Sequence, residues 1–428
     1  MWRHVFSILA ALCVAEAEAQ TGAADPDWAA CRADASPPEE IIAACTRALQ
    51  AGNLISRDAA RAHDQRGRML SRLNEDEPAL ADFNAAIALA PSEPWAFLLR
   101  GNHYRKQNDL DRSDADYAAA IQRDPRYASA YHNRGVNRYD RGQYDEAIAD
   151  FSAAIAIKPD YAEAFNNRGR ARYAEGHYER ALEDYQAAIR FAPNDAVYYN
   201  NRGTAYRKLD AYARAIVDYE AALRLNPDLG IARFNRAMAL TEANRLDEAL
   251  AGFDDVLRRA PGHDEAARWR GYVYLYLGRR AEAAAELGRA LAKHPNDNYL
   301  VLWTYIARKS AGDPAAGDLT KDLEAVDKRV WPSPANLLFL GRIQPKDLAE
   351  LARDRDAETD RQQLCEAYGF IGAYHLLSGA RAEAAAAFRK AVELRNPTYI
   401  GYLFARSELN RLEGNRSEER RVGKECRL

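Results

Sequence analysis

The 428-residue chain is 48% hydrophobic and 29% charged, enough apolar material for a large core. Its formal net charge of −3 predicts neither the electrostatic footprint of a nucleic-acid binder nor an acidic tail. No apolar run reaches the roughly 18–20 residues that a membrane-spanning helix needs.

The chain opens on a stretch that reads as a secretory signal over residues 1–19. Arg3 and His4 make a short positive start, Val5 to Ala15 an apolar stretch of signal-peptide length, and Ala17-Glu18-Ala19 an A-x-A-like cleavage site. The mature chain is then expected to begin near Gln20 and to reside in the periplasm or be secreted. A buried N-terminal helix is the other reading. Leu12 precedes Cys13 where a lipid-anchoring signal needs a small residue. Residues 20–55 read as an N-terminal cap, with Asp27–Leu49 a degenerate half-repeat. Cys31 and Cys45 lie fourteen residues apart across Pro37-Pro38, on what read as two short helices. In an oxidising compartment they are predicted to be bridged, stapling the cap; two buried thiols are the alternative. Cys365 has no evident partner and reads as a packed thiol.

Residues 56–297 carry an internal repeat. Pro91, Pro125, Pro159, Pro193, Pro227, Pro261 and Pro295 are each 34 residues apart, which puts repeat starts at Ala60, Pro94, Ala128, Ala162, Ala196, Gly230 and Asp264. Position 8 is Gly in every repeat but the sixth, which has Ala237. Position 20 is Ala or Ser, and position 27 is Ala or, once, Val256. Position 24 is Phe83, Tyr117, Phe151, Tyr185, Tyr219, Phe253 and Leu287. Small residues at 8, 20 and 27 let two helix axes approach closely, the residue at 24 fills the space to the next pair, and proline at 32 stops the second helix. One such pair cannot bury its apolar face alone, so pairs stack. The pattern resembles the tetratricopeptide (TPR) repeat. The resemblance implies an all-α fold, a right-handed superhelical α-solenoid of helix hairpins, that binds other proteins.

Two polar series run through these repeats. Position 7 is Arg throughout: Arg66, Arg100, Arg134, Arg168, Arg202, Arg236 and Arg270. Position 23 is Asp82, Asp116, Asp150, Asp184 and Asp218, then Gly252 and Glu286. This is either a ladder of ion pairs between the two helices or an arginine stripe for an anionic ligand. Position 6 is Asn133, Asn167, Asn201 and Asn235. In TPR domains, positions 2, 5, 6, 9, 12 and 13 of the first helix line a concave groove. There these amides would suit the backbone of an extended peptide. Alternatively, they bond neighbouring helices and hold the superhelix together. The same groove would hold Tyr139, Arg170, Tyr173 and Arg207, with His132, Asn166, Asn200, Thr204 and Lys208. It turns aromatic at Phe234, Trp269, Tyr272 and Tyr276.

Residues 298–364 break the period and read as irregular helical pairs continuing the solenoid. Helices are predicted over Tyr299–Ser310, Leu319–Lys328, Ala335–Leu340 and Pro345–Arg353, with Trp331-Pro332-Ser333-Pro334 a break. Residues 365–415 read as an eighth repeat starting at Cys365, with Gly372, Ala384, Phe388 and Ala391 at the same offsets, then a capping helix over Tyr399–Leu412. The runs LWTYIA (302–307), LCEAYGFIGAYHLLSG (364–379) and YLFARSEL (402–409) resemble exported bacterial TPR proteins of the new lipoprotein I family. That resemblance implies an adaptor role, presenting cell-wall hydrolases to a periplasmic protease. Residues 416–428 hold RSEERRVGKECR, which looks like the translation of sequencing-adapter DNA. They are set apart as a scar, a real charged tail being the alternative.

No H-E-x-x-H, Cys-x-x-Cys, P-loop, G-x-G-x-x-G or G-x-S-x-G occurs, and nothing pairs a nucleophile with a base. The reading is a non-catalytic periplasmic scaffold for a peptide or protein partner. It expects no nucleic acid, no transmembrane segment, no cofactor and no metal, and leaves the oligomeric state open. The rivals are the envelope adaptor and an accessory region of a larger enzyme truncated at its C-terminus.

Overall fold

The computed structural model describes residues 26–33, 35–313, 330–395 and 400–414. The signal over 1–19, the helix read over Leu319–Lys328 and the adapter-like tail lie outside the described residues. Among the described residues there are 22 α-helices and no strand. They fall into two compact units, one up to Pro193 and one from Asn194.

In the first unit, α1 (Pro26–Cys31) and α2 (Pro38–Ala51) make the cap. A disulfide joins Cys31 to Cys45, and Trp28, Ile41, Ala44 and Ala48 pack around it with Ala62 and Met69. Closing a loop of this length stabilises a fold by about 3 kcal/mol on the chain-entropy account. Four helix pairs follow. They are α3 (Ser56–Arg72) with α4 (Asp76–Leu89), α5 (Pro94–Lys106) with α6 (Leu110–Arg123), α7 (Ala128–Asp140) with α8 (Tyr144–Ile157), and α9 (Ala162–Ala174) with α10 (Tyr178–Phe191).

The second unit continues the period with α11 (Ala196–Lys208) and α12 (Tyr212–Leu225), α13 (Gly230–Glu242) and α14 (Leu246–Arg259), and α15 (Asp264–Tyr276) and α16 (Arg280–Lys293). Six of the seven first helices begin on the residue the proline spacing predicts; α3 starts four residues earlier than Ala60, at Ser56. Then come α17 (Asn298–Ala311), α18 (Ser333–Phe339), α19 (Pro345–Leu351), α20 (Ala357–Leu377), α21 (Arg381–Glu393) and α22 (Ile400–Glu413).

The turn inside each pair has a local cause. Position 15 adopts positive φ in all seven repeats, at Asn74, Asn108, Gly142, Gly176, Asp210, Asn244 and Gly278, and again at Gly379 in the eighth. Only Gly, Asn and Asp fill it, the residue types that tolerate the left-handed region. The next amide then returns to the end of the first helix, as Glu75 N donates to Leu70 O at 2.9 Å.

The close approach within each pair is set at position 8. A Cβ on Gly101, Gly135 or Gly169 would lie 2.7–2.9 Å from the ring of Tyr117, Phe151 or Tyr185. The sixth repeat escapes by an exchange. Ala237 stands at position 8 and Gly252 at position 23, and a Cβ on Gly252 would meet that of Ala237 at 3.0 Å. The methyl has moved from one helix to the other, and the acid of position 23 has been lost with it.

Beyond the seventh repeat the chain keeps the period for one more helix, since α17 starts at Asn298, where the next repeat would. It then departs from the expected run of irregular pairs. α20 begins at Ala357 rather than at Cys365, because Asp356 caps it, accepting from the Thr359 amide at 2.8 Å. Trp303 of α17 packs against Phe370 of α20 and Phe404 of α22, each at 5.1 Å between ring centroids. The last helix does not simply cap the end of the array: it turns back against α13 and α15.

Gly135→Ala should destabilise the chain by about 1–3 kcal/mol through overpacking. Gly252→Asp should be costly alone and relieved by Ala237→Gly. A urea-unfolding double-mutant cycle should give a coupling above about 0.5 kcal/mol, and additive effects would dismiss the exchange.

Candidate functional site

The arginines of position 7 lie between helices. Arg66, Arg100, Arg134 and Arg202 each grip the position-23 aspartate of their own repeat with two hydrogen bonds, at 2.7–2.9 Å. Arg168 holds Asp184 in the same way, its closest contact 2.8 Å. Several reach further, to position 25 of the preceding repeat: Arg100 to Asn84 at 2.7 Å and Arg168 to Ser152 at 3.0 Å. Where Gly252 replaces the acid, Arg236 turns wholly to that neighbour and takes Glu220 at 2.9 Å. Arg270 bridges both, Asp254 behind and Glu286 within. A second cation shares two of the carboxylates, Arg138 on Asp150 and Arg172 on Asp184. The sequence carries this signal as arginine at position 11 of the third and fourth repeats, a signal the position-7 series does not include. The ladder is structural. Its aspartates are buried, so these are not the weak pairs of an exposed surface.

Electrostatics follow burial. Burial pushes the Asp82 carboxyl up, but hydrogen bonds from Arg66 and His63 outweigh it and hold the group below the ordinary range. Asp184 has the least exposed side chain of the five, and there burial prevails over Arg168 and raises it. The Arg134 guanidinium is raised, chiefly by its hydrogen bond to Asp150.

The asparagines of position 6 bond along the row of first helices. In the first unit Asn133 Nδ2 donates to Asn102 Oδ1 at 2.8 Å, and Tyr117 Oη donates to the same oxygen. Asn167 Nδ2 meets His132 Nε2 at 3.0 Å, and His132 Nδ1 meets Asn133 Oδ1 at 3.0 Å. The string is continuous if His132 is neutral with its proton on Nδ1, which suits the downward shift that burial gives it. In the second unit Asn235 Nδ2 donates to Asn200 Oδ1 at 3.1 Å, and Asn200 reaches Asn201. Asn133, Asn167 and Asn235 hold successive first helices together, and the side chains of all four position-6 asparagines remain half-buried.

The other residues picked out for the groove separate by unit. In the first unit the face is open. Arg170 is exposed and stacks over half-buried Tyr139, 4.6 Å from the ring centroid. Arg170 also reaches Asn167 Oδ1 at 3.4 Å, so Tyr139, Arg170 and Asn167 form one patch. Tyr173 is half-buried against Tyr178, at 5.2 Å.

In the second unit positions 9 and 13 of the seventh repeat are buried. Tyr272 and Tyr276 are 4% and 1% exposed and belong to the core, so the expectation of Tyr272 as a groove contact is corrected. Trp269 stays half-buried, edge-on to Tyr272 at 5.7 Å. Arg207 is engaged by buried Glu242 at 2.8 Å. Arg406 of α22 donates to the Thr241 and Glu242 carbonyls that end α13, and Arg411 to the Leu275 and Tyr276 carbonyls that end α15. Glu408 takes Arg280 at 2.7 Å, and Tyr276 Oη donates to Ile400 O. Helix C-termini favour cations, which explains the two arginines. Cys365 is buried, its thiol pushed up to about 12 by burial. Among the described residues no group of three His, Cys, Asp or Glu could hold a metal ion, and no helix is long and apolar enough to cross a membrane.

Helix pairs at this period, stitched by these ladders, define a class. Models of the TPR repeat match residues 137–176 and 169–210, and tetratricopeptide-repeat models match 196–229 and 240–302. The chain carries tetratricopeptide repeats over these residues, and what they support is a repeat scaffold for protein interactions. It resembles the lipoprotein NlpI homolog of Haemophilus influenzae, 27% identical over 167 residues, 38% of this chain and 53% of that protein. It thus spans about half the length of this curated relative. Among solved structures, YrrB, described as a TPR protein with an unusual peptide-binding site, is 27% identical, with a TM-score of 0.39 over 43% of this chain and 94% of its own. Pseudomonas aeruginosa PilF is 20% identical, with a TM-score of 0.45 over 50% and 98%.

Two outcomes check the energetics. Asp150→Ala should cost about 3–5 kcal/mol in urea unfolding, because it strands Arg134 and Arg138, while Arg170→Ala should stay within about 0.5 kcal/mol. Burial raises Glu242 to about 7 from its ordinary 4.5, against the pull of Arg207. Between those values the unfolded chain has released a proton that the folded chain keeps, so stability falls as pH rises. Glu242→Gln should therefore gain on the parent protein between pH 5 and pH 8, by an amount on the order of 3 kcal/mol. A difference between the two proteins that does not change with pH would refute it.

Proposed function

We propose that the protein is a non-catalytic scaffold of the cell envelope that holds a peptide or protein partner on its first-helix face. The observation that carries this reading is the open patch of the first unit. Tyr139, Tyr173 and Arg170 are residue types that anchor binding energy, on helices held rigid by buried ion pairs. Asn133, Asn167 and Asn235 spend hydrogen bonds on neighbouring first helices, which makes them supports of the face, while Asn201 accepts from Asn200 of its own helix; the half-buried amides of all four would also meet a ligand backbone. Trp269 is a half-buried aromatic of the second unit and would serve there.

Export to the periplasm is supported by the signal-like start and by the Cys31–Cys45 disulfide, a bond suited to an oxidising compartment. A narrower reading, an adaptor between cell-wall hydrolases and a periplasmic protease, is favoured by the resemblance to the NlpI homolog. Proteins captured from periplasmic extract by the mature chain should be lost with Tyr139→Ala, Arg170→Ala and Tyr173→Ala combined, with circular dichroism unchanged. An identical captured set would sink the assignment. Wall-hydrolase levels that stay unaltered in a deletion strain would remove the adaptor reading alone.

A further inference from the structure

The first helices carry a strongly biased face in the first unit. At positions 2, 9, 12 and 13 of its four repeats stand Arg61, Arg68, Arg72, Arg105, Lys106 and Arg170. The carboxylates at these positions are Asp140 and Glu163, with Asp64 buried at position 5. Among the described residues only one of the six cations forms an ion pair, Arg105 with Asp140 at 2.9 Å. Arg170 instead lies over Tyr139, and Lys106 donates to Ser71 O and Asn74. A chain with a net charge of −3 therefore gathers positive charge on this one face, interleaved with Leu99, Val136, Tyr139 and Tyr173.

The second unit provides a template for what occupies such positions. There positions 12 and 13, Thr241 and Glu242 in one repeat and Leu275 and Tyr276 in the next, are covered by a helix, α22. That helix packs apolar Phe404 against Trp303 of α17 and pairs Glu408 with Arg280 at the start of α16, while its own arginines reach the carbonyl ends of α13 and α15. The C-terminal ends of two first helices thus accept a helix across them, with a carboxylate of that helix paired to an arginine of the repeat.

We infer that the first unit receives an acidic amphipathic helix of a partner protein across positions 9, 12 and 13. The inference rests on the proposed scaffold reading and specifies the partner's form and charge. Apolar residues of the incoming helix at i, i+3, i+4 and i+7 meet Val136, Tyr139 and Tyr173, and its carboxylates meet Arg68, Arg72, Lys106 and Arg170.

The test uses the full mature chain and a labelled synthetic peptide with leucines at i, i+3, i+4 and i+7 and glutamates elsewhere, read by fluorescence anisotropy. Saturable binding is expected, weakening as salt rises. Lys106→Glu with Arg170→Glu should weaken it at least tenfold, while reversal of exposed Arg258 and Arg289 in the second unit should leave it unchanged. A sequence isomer broken by prolines should lose binding. The inference is overturned if the broken isomer or a lysine counterpart binds equally well, or if the charge reversals have no effect. Should the peptide fail while partner capture still depends on Tyr139, Arg170 and Tyr173, the scaffold reading stands and this inference falls. Should capture ignore those residues, the scaffold reading falls.

Discussion

The structure depends on how closely two helices of one repeat can approach. Gly101 lies where any Cβ would strike the Tyr117 ring, and the same holds for Gly135 under Phe151 and Gly169 under Tyr185. That contact brings positions 7 and 23 within reach of each other, so each arginine can close two hydrogen bonds on its aspartate. The ladder is a consequence of the close packing. The sixth repeat demonstrates the dependence: once the methyl sits on Ala237 and Gly252 faces it, no acid remains at position 23, and Arg236 is redirected to the repeat before it.

The same arginines explain why the array is more than a row of independent hairpins. A guanidinium has enough donors to serve two partners at once. Arg100 and Arg168 use them on their own helix B and on the preceding one. Nearest-neighbour coupling is thus carried by polar contacts in addition to the small apolar interfaces. The asparagine and histidine string adds a second line along the first helices, and it frames the open patch of Tyr139 and Arg170 without closing it.

Much of this was legible in the sequence. Proline spacing gives the helix start to the residue in six repeats, and arginine at position 7 in step with an acid at position 23 leaves a ladder or an anion-binding stripe, of which the geometry shows the ladder. Fourteen-residue spacing across two prolines pointed to the Cys31–Cys45 bond. What escaped was long-range. Tyr272 and Tyr276 read as ligand-facing aromatics because the repeat places them on the inner face; both are buried, and Tyr276 is met by α22, whose contacts lie more than 120 residues away in sequence. No local pattern encodes that return. The extra turns at the front of α20 escaped for a smaller reason, the cap supplied by Asp356 inside a stretch that looked irregular.

The return of α22 changes the kind of folding problem the second unit poses. Repeat arrays are built from short-range contacts, so structure can begin in any repeat and spread to its neighbours. The first unit follows that rule, its ladders spanning one repeat at a time. In the second, Arg406 reaches Glu242 across a separation of 164 residues and Arg411 reaches Tyr276 across 135. Such contacts close only after long loops have been ordered, a slow event in chain kinetics. The two halves of one repetitive sequence should therefore differ in cooperativity, the first fraying repeat by repeat and the second opening as a block.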